Sequence, residues 1–154
     1  MRVALGADHA GFELKQRLAR VLTEAGHEVV DLGTDSAASV DYPDFAAAVA
    51  HAVAGGRAER GVLVCGTGVG MAIGANRVPG VRAVAADGLY VARLARAHND
   101  ANVLALGARV VAPEHAEAIL AAFFSTPFEG GRHQRRVAKL DGVPEAPASR
   151  QESR

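Results

Sequence analysis

Cys65 is the only thiol in the chain, and glycines follow it at positions 66, 68 and 70. The apolar run Val62-Leu63-Val64 leads into it, so Gly61 to Ile73 reads as a buried strand, a tight turn and the first turn of a helix. Glycines in such a turn allow close backbone approach to a ligand and present successive N–H groups, to which the helix end adds partial positive charge. A cysteine in that position is suited to act as a base or a nucleophile. Elsewhere, a lone cysteine at a strand end is an ordinary buried small hydrophobe, so other segments must decide between the two.

Three familiar anion-binding motifs do not fit. The phosphate loop of nucleotide hydrolases needs Lys-Ser or Lys-Thr after its glycines, and neither follows here. The dinucleotide fingerprint needs a third glycine where Met71 stands, and a phosphatase-like loop needs an arginine at that same position. What remains is a thiol with backbone donors, suited to a small anionic substrate or a developing oxyanion.

The elements that must hold this turn are short and alternate in type. With 154 residues, nearly half hydrophobic, the chain is sized for one domain, expected over residues 1–140. Seventeen basic and seventeen acidic residues cancel, leaving no global field to attract nucleic acid or an anionic membrane. A single cysteine excludes an intramolecular disulfide, and with no leader or long apolar run a soluble cytoplasmic protein is expected. Strands are expected at Arg2–Gly6, Glu28–Leu32, Val62–Val64, Val81–Ala85 and Val103–Leu106. Between them lie helical patterns. Leu14, Leu18, Val21 and Leu22 share one face, Tyr42-Pro43 opens an alanine-rich helix, and Asp87 is a natural cap for Gly88 to Ala97. Pro113 then opens a helix with a stripe of Ala116, Ile119, Leu120, Phe123 and Phe124.

Five strands alternating with helices imply a three-layer, doubly wound α/β fold, Rossmann-like with a parallel sheet in the flavodoxin-like order 2-1-3-4-5, plus a C-terminal helical segment. Ligands in such sheets sit beyond the carboxyl ends of the strands, at the switch point between strands one and three. Asp8 and His9 follow strand one and Cys65 follows strand three, so the fold brings them together. His98 and Asn99 end the helix before strand five, and they reach the same edge only if their loop folds over the mouth.

After Phe128 comes a basic segment in which Arg132 and Arg136 are four apart, on one helical face, a spacing that can clamp a phosphate or simply make a solvated helix. Its apolar Val137 and Leu140 need a surface to pack on, which a second subunit would supply. From Asp141 to Arg154 the composition suggests a flexible tail.

Asp8-His9-Ala10-Gly11, Asp41-Tyr42-Pro43, Cys65 to Gly70, Arg93 to Val103 and Gly130 to Val137 stand in order along residues 1 to about 140, and together they resemble the ribose-5-phosphate isomerase B family. The resemblance implies interconversion of ribose 5-phosphate and ribulose 5-phosphate without metal or organic cofactor. It also implies roles. Cys65 matches the base that moves a proton between C2 and C1. The N–H groups of Gly66, Thr67, Gly68, Val69 and Gly70 match the site for the enediolate oxygen. His98 matches the acid that opens the furanose ring, with Asp8 and Thr67 nearby, and Asn99 a residue that binds substrate hydroxyls. His9, Arg109, Arg132 and Arg136 match the phosphate set, some arginines crossing a dimer interface, and Tyr42 matches a pocket wall. One branch of the family replaces the thiol by a glutamate at the position of Met71; this chain resembles the other branch. His27, His51, His115 and His133 receive no role.

The expected partners are a small sugar phosphate and a second copy of the chain, as a homodimer or a dimer of dimers with sites shared across the interface. An isomerase of allose 6-phosphate, galactose 6-phosphate or a tetrose phosphate is the alternative within this class. From another class, a non-catalytic sugar-phosphate or nucleotide-binding module would use the turn and leave Cys65 inert.

Overall fold

The computed structural model describes residues 1–142, and the segment 143–154, most of the expected tail, lies outside the described residues. The apolar runs form strands β1 Arg2–Ala7, β2 Glu28–Asp31, β3 Arg60–Cys65, β4 Ala83–Ala85 and β5 Val103–Gly107. The periodic segments between and after them form helices α1 Phe12–Glu24, α2 Tyr42–Ala54, α3 Val69–Ala75, α4 Leu89–Asn99, α5 Pro113–Ser125 and α6 Arg132–Asp141. Every strand pairing is parallel. The three-layer α/β architecture follows, because parallel neighbours need a crossover helix and both sheet faces need cover.

The strand order is β2-β1-β3-β5-β4, so the last two strands exchange places relative to the expected 2-1-3-4-5. Burial explains the exchange. β5 is apolar and buried at every position, as an interior strand requires, whereas β4 has three incompletely buried residues and follows Arg82, which suits an edge. α3 therefore carries the chain past β5, and α4 returns it on the other face.

Alternation along each strand divides the core in two. Val3, Leu5, Val62, Val64, Leu104 and Leu106 face α1, α4 and α5, while Leu63, Cys65, Val103 and Ala105 face α2 and α3. Leu14, Leu18 and Leu22 recur every fourth residue and give α1 its buried stripe, and Ile119, Leu120 and Phe123 do the same for α5. Each such side chain, once buried, contributes about 1.5–3 kcal/mol.

Two local expectations change around α4. Gly88, not Asp87, occupies its N-cap, with no side-chain cap bond, and the helix runs on through His98 and Asn99. Asp100 ends it at φ 46°. That left-handed conformation is tolerated by aspartate, and the Asp100 carboxylate is held by Arg82 at 3.1 Å and Arg96 at 2.8 Å. β4 likewise begins at Ala83 rather than Val81. Among the described residues no helix is long and apolar enough to cross a membrane.

Candidate active site

The carboxyl ends of β1, β3 and β5 meet around Cys65, the buried last residue of β3. Its Sγ accepts a hydrogen bond from the Gly68 N–H at 3.1 Å, which fixes the sulfur over the glycine turn. Gly68 adopts φ 80°, and a side chain there would also press on the Leu106 backbone. Thr67 is exposed at the rim, where its Oγ1 accepts from the Val69 N–H at 3.3 Å. Met71 is fully buried among the α2 and α3 residues, so this position is filled by core and brings no acid to the turn.

The exchange of β4 and β5 decides what else lines the mouth. Because β5 lies beside β3, Ala108 donates to the Cys65 carbonyl at 2.8 Å and Arg109 to the Gly66 carbonyl at 3.0 Å. The Arg109 guanidinium consequently lies over Gly66, its Nη1 3.2 Å from the point a Cβ would occupy. On the other side the Tyr42 ring, at the start of α2, lies against Gly70, with ring carbons 2.7 Å from that residue's missing Cβ position.

Asp8 and His9 arrive at the same edge from β1. The Asp8 N–H donates to the Val64 carbonyl at 3.2 Å, and its buried Oδ1 accepts from Ala10 at 3.0 Å and Gly11 at 3.1 Å, closing the turn on itself. His9 Nδ1 accepts from the Val40 N–H at 3.2 Å, which in the neutral ring leaves Nε2 as the proton-bearing donor. This turn lies so close to β3 that a Cβ on Gly11 would stand 2.3 Å from the Val64 carbonyl oxygen. Gly11→Ala is therefore expected to cost about 1–3 kcal/mol, read as a lower midpoint in urea unfolding. An unchanged midpoint would mean that the turn yields easily.

The remaining named residues lie at the other end of the sheet. α4 leaves the carboxyl end of β4 and returns to the start of β5, so His98 and Asn99 sit in its last turn, near the amino ends of the strands. Just beyond, the Gly61 N–H donates to the Asn102 carbonyl at 2.9 Å, tying that end to the start of β3. From Gly61 to Cys65 the strand rises ~13 Å. The loop does not fold over the mouth, because α4 continues as helix and Asp100 is pinned by two arginines. Within one chain, His98 is thus parted from Cys65, Asp8 and Thr67. α6 packs on α4 and carries Arg132 and Arg136, both exposed, to the corner of His98. Val137 buries itself in its own chain, leaving only Leu140, 53% exposed, uncovered.

Beside His98 stand two residues with no role in the sequence reading. The His133 ring stacks on the His98 ring at 4.2 Å between centroids, 9° from parallel. Glu129 Oε2 lies 3.7 Å from His98 Nε2 and 3.6 Å from His133 Nε2. Burial pushes the His133 pKa down, as do the charges of His98, Arg132 and Arg136, against an upward pull from Glu129. The spacing of Glu129 to His133 was the one trace in the sequence; the stacking depends on how α6 meets α4.

A thiol and a fan of backbone donors at the switch point of a doubly wound sheet define a Rossmann-like α/β protein built to handle a small anionic ligand. More particularly, the chain belongs to the Ribose/Galactose Isomerase family, whose sequence model matches residues 3–140. It is 49% identical over 142 residues to the ribose-5-phosphate isomerase B of Escherichia coli K12, covering 92% of this chain and 95% of that one. It is 43% identical over 141 residues to the D-erythrulose-4-phosphate isomerase of Pectobacterium atrosepticum, covering 91% and 93%. The solved ribose-5-phosphate isomerase B of Clostridium thermocellum superposes with a TM-score of 0.91 at 48% identity, covering 92% of this chain and 96% of that one.

Proposed function

We propose that this protein interconverts D-ribose 5-phosphate and D-ribulose 5-phosphate. The observation that carries the reading is the Cys65 sulfur seated on the Gly66–Gly70 turn, with Arg109 over Gly66 and His9 on the neighbouring strand end. The Cys65 thiolate removes the proton from C2, and the electron pair forms an enediolate whose charge rests on O1. With the Gly68 N–H donating to the Cys65 Sγ and the Val69 N–H to the Thr67 Oγ1, the remaining N–H groups of the turn are the preorganised donors for that charge. The thiol then returns its proton to C1 while the O2 proton passes to O1, which yields the ketose. Every step is a proton transfer, and none calls for a metal or organic cofactor.

Ribose 5-phosphate is a closed furanose and must open first. His98 supplies a proton to the ring oxygen O4 as the C1–O4 bond breaks, and the proton of the anomeric hydroxyl leaves to solvent, from which the imidazole recovers its own. Since His98, Asn99, Arg132 and Arg136 lie at the opposite end of the sheet from their own Cys65, the reading takes them from a second copy: the substrate at Cys65 meets His98 of the partner subunit. The protein then acts as a homodimer, or a dimer of dimers, with two shared sites. Exposed Val69 and Ile73 on α3 and Tyr90 and Val91 on α4, 41–73% accessible, support such contacts. A cytoplasmic location agrees with a sugar-phosphate substrate.

The relative acting on a four-carbon sugar phosphate favours a second reading within the same chemistry. A panel of four-, five- and six-carbon aldose phosphates with purified protein decides: the proposed function requires the highest kcat/KM on ribose 5-phosphate, and absence of turnover on all of them would leave a binding module. His98→Asn is expected to slow ribose 5-phosphate about 10²–10⁴-fold. It should spare exchange of the C1 hydrogen of ribulose 5-phosphate with D2O, because that ketose has its O5 esterified and forms no ring. Equal losses in both would assign His98 to another step.

A further inference from the structure

Glu129, His98 and His133 offer three ligand-type atoms within 4.8 Å of one another. A shared cation would require both Nε2 lone pairs to converge on one point. Lone pairs lie in the plane of the imidazole, and rings 9° from parallel aim them side by side instead. A stacked pair at 4.2 Å resists carrying two positive charges, and one carboxylate oxygen faces the Nε2 of both rings.

We propose that Glu129 and His133 are positioning residues for His98, the stacked His133 ring fixing its plane and the Glu129 carboxylate facing its Nε2 at 3.7 Å. The backbone makes this arrangement rigid. The Glu129 N–H donates to the Ala97 carbonyl at 3.0 Å, in the same helical turn as His98, and the His133 N–H donates to the Gly130 carbonyl at 3.0 Å. Gly130 and Gly131, at φ 65° and 55°, turn the chain sharply from Glu129 into α6, so carboxylate and second ring arrive on the same neighbour. His133 is 5% exposed and flanked by Arg132 and Arg136, and burial together with these charges pushes its pKa down. His98, partly exposed, is the ring of the pair that is open to a ligand.

The inference rests on His98 being the ring-opening acid, and the test separates the two. Glu129→Gln keeps shape and removes charge; His133→Ala removes the stacking ring, and His133→Phe restores a flat surface without nitrogen. Steady-state kinetics on ribose 5-phosphate and C1–H exchange of ribulose 5-phosphate in D2O are measured on each, beside thermal melting. Glu129→Gln and His133→Ala should lower kcat on ribose 5-phosphate about 10–10²-fold with KM and exchange close to those of the unmodified protein. His133→Phe should recover most of the loss. Unchanged kcat in Glu129→Gln, equal loss in exchange, a rise in KM alone, or no recovery in His133→Phe would each overturn the positioning role. If His133→Ala does not fold, Glu129→Gln and His133→Phe still decide. If instead His98→Asn itself turns over ribose 5-phosphate normally, the acid assignment fails first.

Discussion

Replacing Cys65 by serine is expected to slow isomerisation of ribose 5-phosphate about 10²–10⁴-fold while leaving its binding nearly unchanged. The substitution exchanges one atom in a buried position. A serine oxygen still accepts from the Gly68 N–H that now bonds the sulfur, so the turn keeps its shape and its remaining donors. Arg109 and Tyr42 touch Gly66 and Gly70 rather than the thiol, and they keep their places. What disappears is a group able to take a carbon-bound proton, since an aliphatic hydroxyl does not ionise in the range where thiols do. Titration calorimetry with ribose 5-phosphate reads the binding, and a ketose-detecting assay reads the turnover. Turnover near that of the unmodified protein would remove Cys65 as the base. Loss of binding in parallel would mean that the sulfur holds the turn together.

The half of the site around Cys65 was legible in the sequence because each part of it is local. An apolar run ending at a thiol, glycines at alternate positions, and Asp8-His9 directly after the first strand place themselves once the sheet is parallel and β1 lies beside β3. Arg109 reaches this edge through a different fact, the position of β5 next to β3. The expected strand order would have put β4 there. The signal against it was present in Arg82, a charge at the head of the fourth apolar run, set against a fifth run apolar on both faces.

The residues that the proposed site takes from a second chain were legible as motif and illegible as place. His98 and Asn99 looked like a break between helix and strand, whereas Asp100 postpones the end of α4 by adopting a left-handed conformation held by Arg82 and Arg96. Val137 looked like a residue seeking a partner and instead packs within its own chain, so the apolar argument for a dimer now falls to Leu140, Val69, Ile73, Tyr90 and Val91. The stacking of His133 on His98 arises from two helices that sequence spacing does not relate.

The second large effect concerns these separated halves. Chains carrying Cys65→Ser lack the proposed base, and chains carrying Arg132→Ala with Arg136→Ala lack the proposed phosphate clamp; each preparation alone is expected to be nearly inactive on ribose 5-phosphate. The guanidiniums stand with His98, about the height of the sheet away from the thiol of their own chain. In a mixed dimer with shared sites, one site collects both lesions and the other collects none. Subunit exchange between the two preparations, verified by mass spectrometry, followed by an isomerase assay is therefore the most direct measurement of whether two chains build each site. Activity should return towards half of the unmodified value per mixed dimer. If every site were built from a single chain, each would keep one lesion, and no recovery despite verified exchange would contradict the shared site.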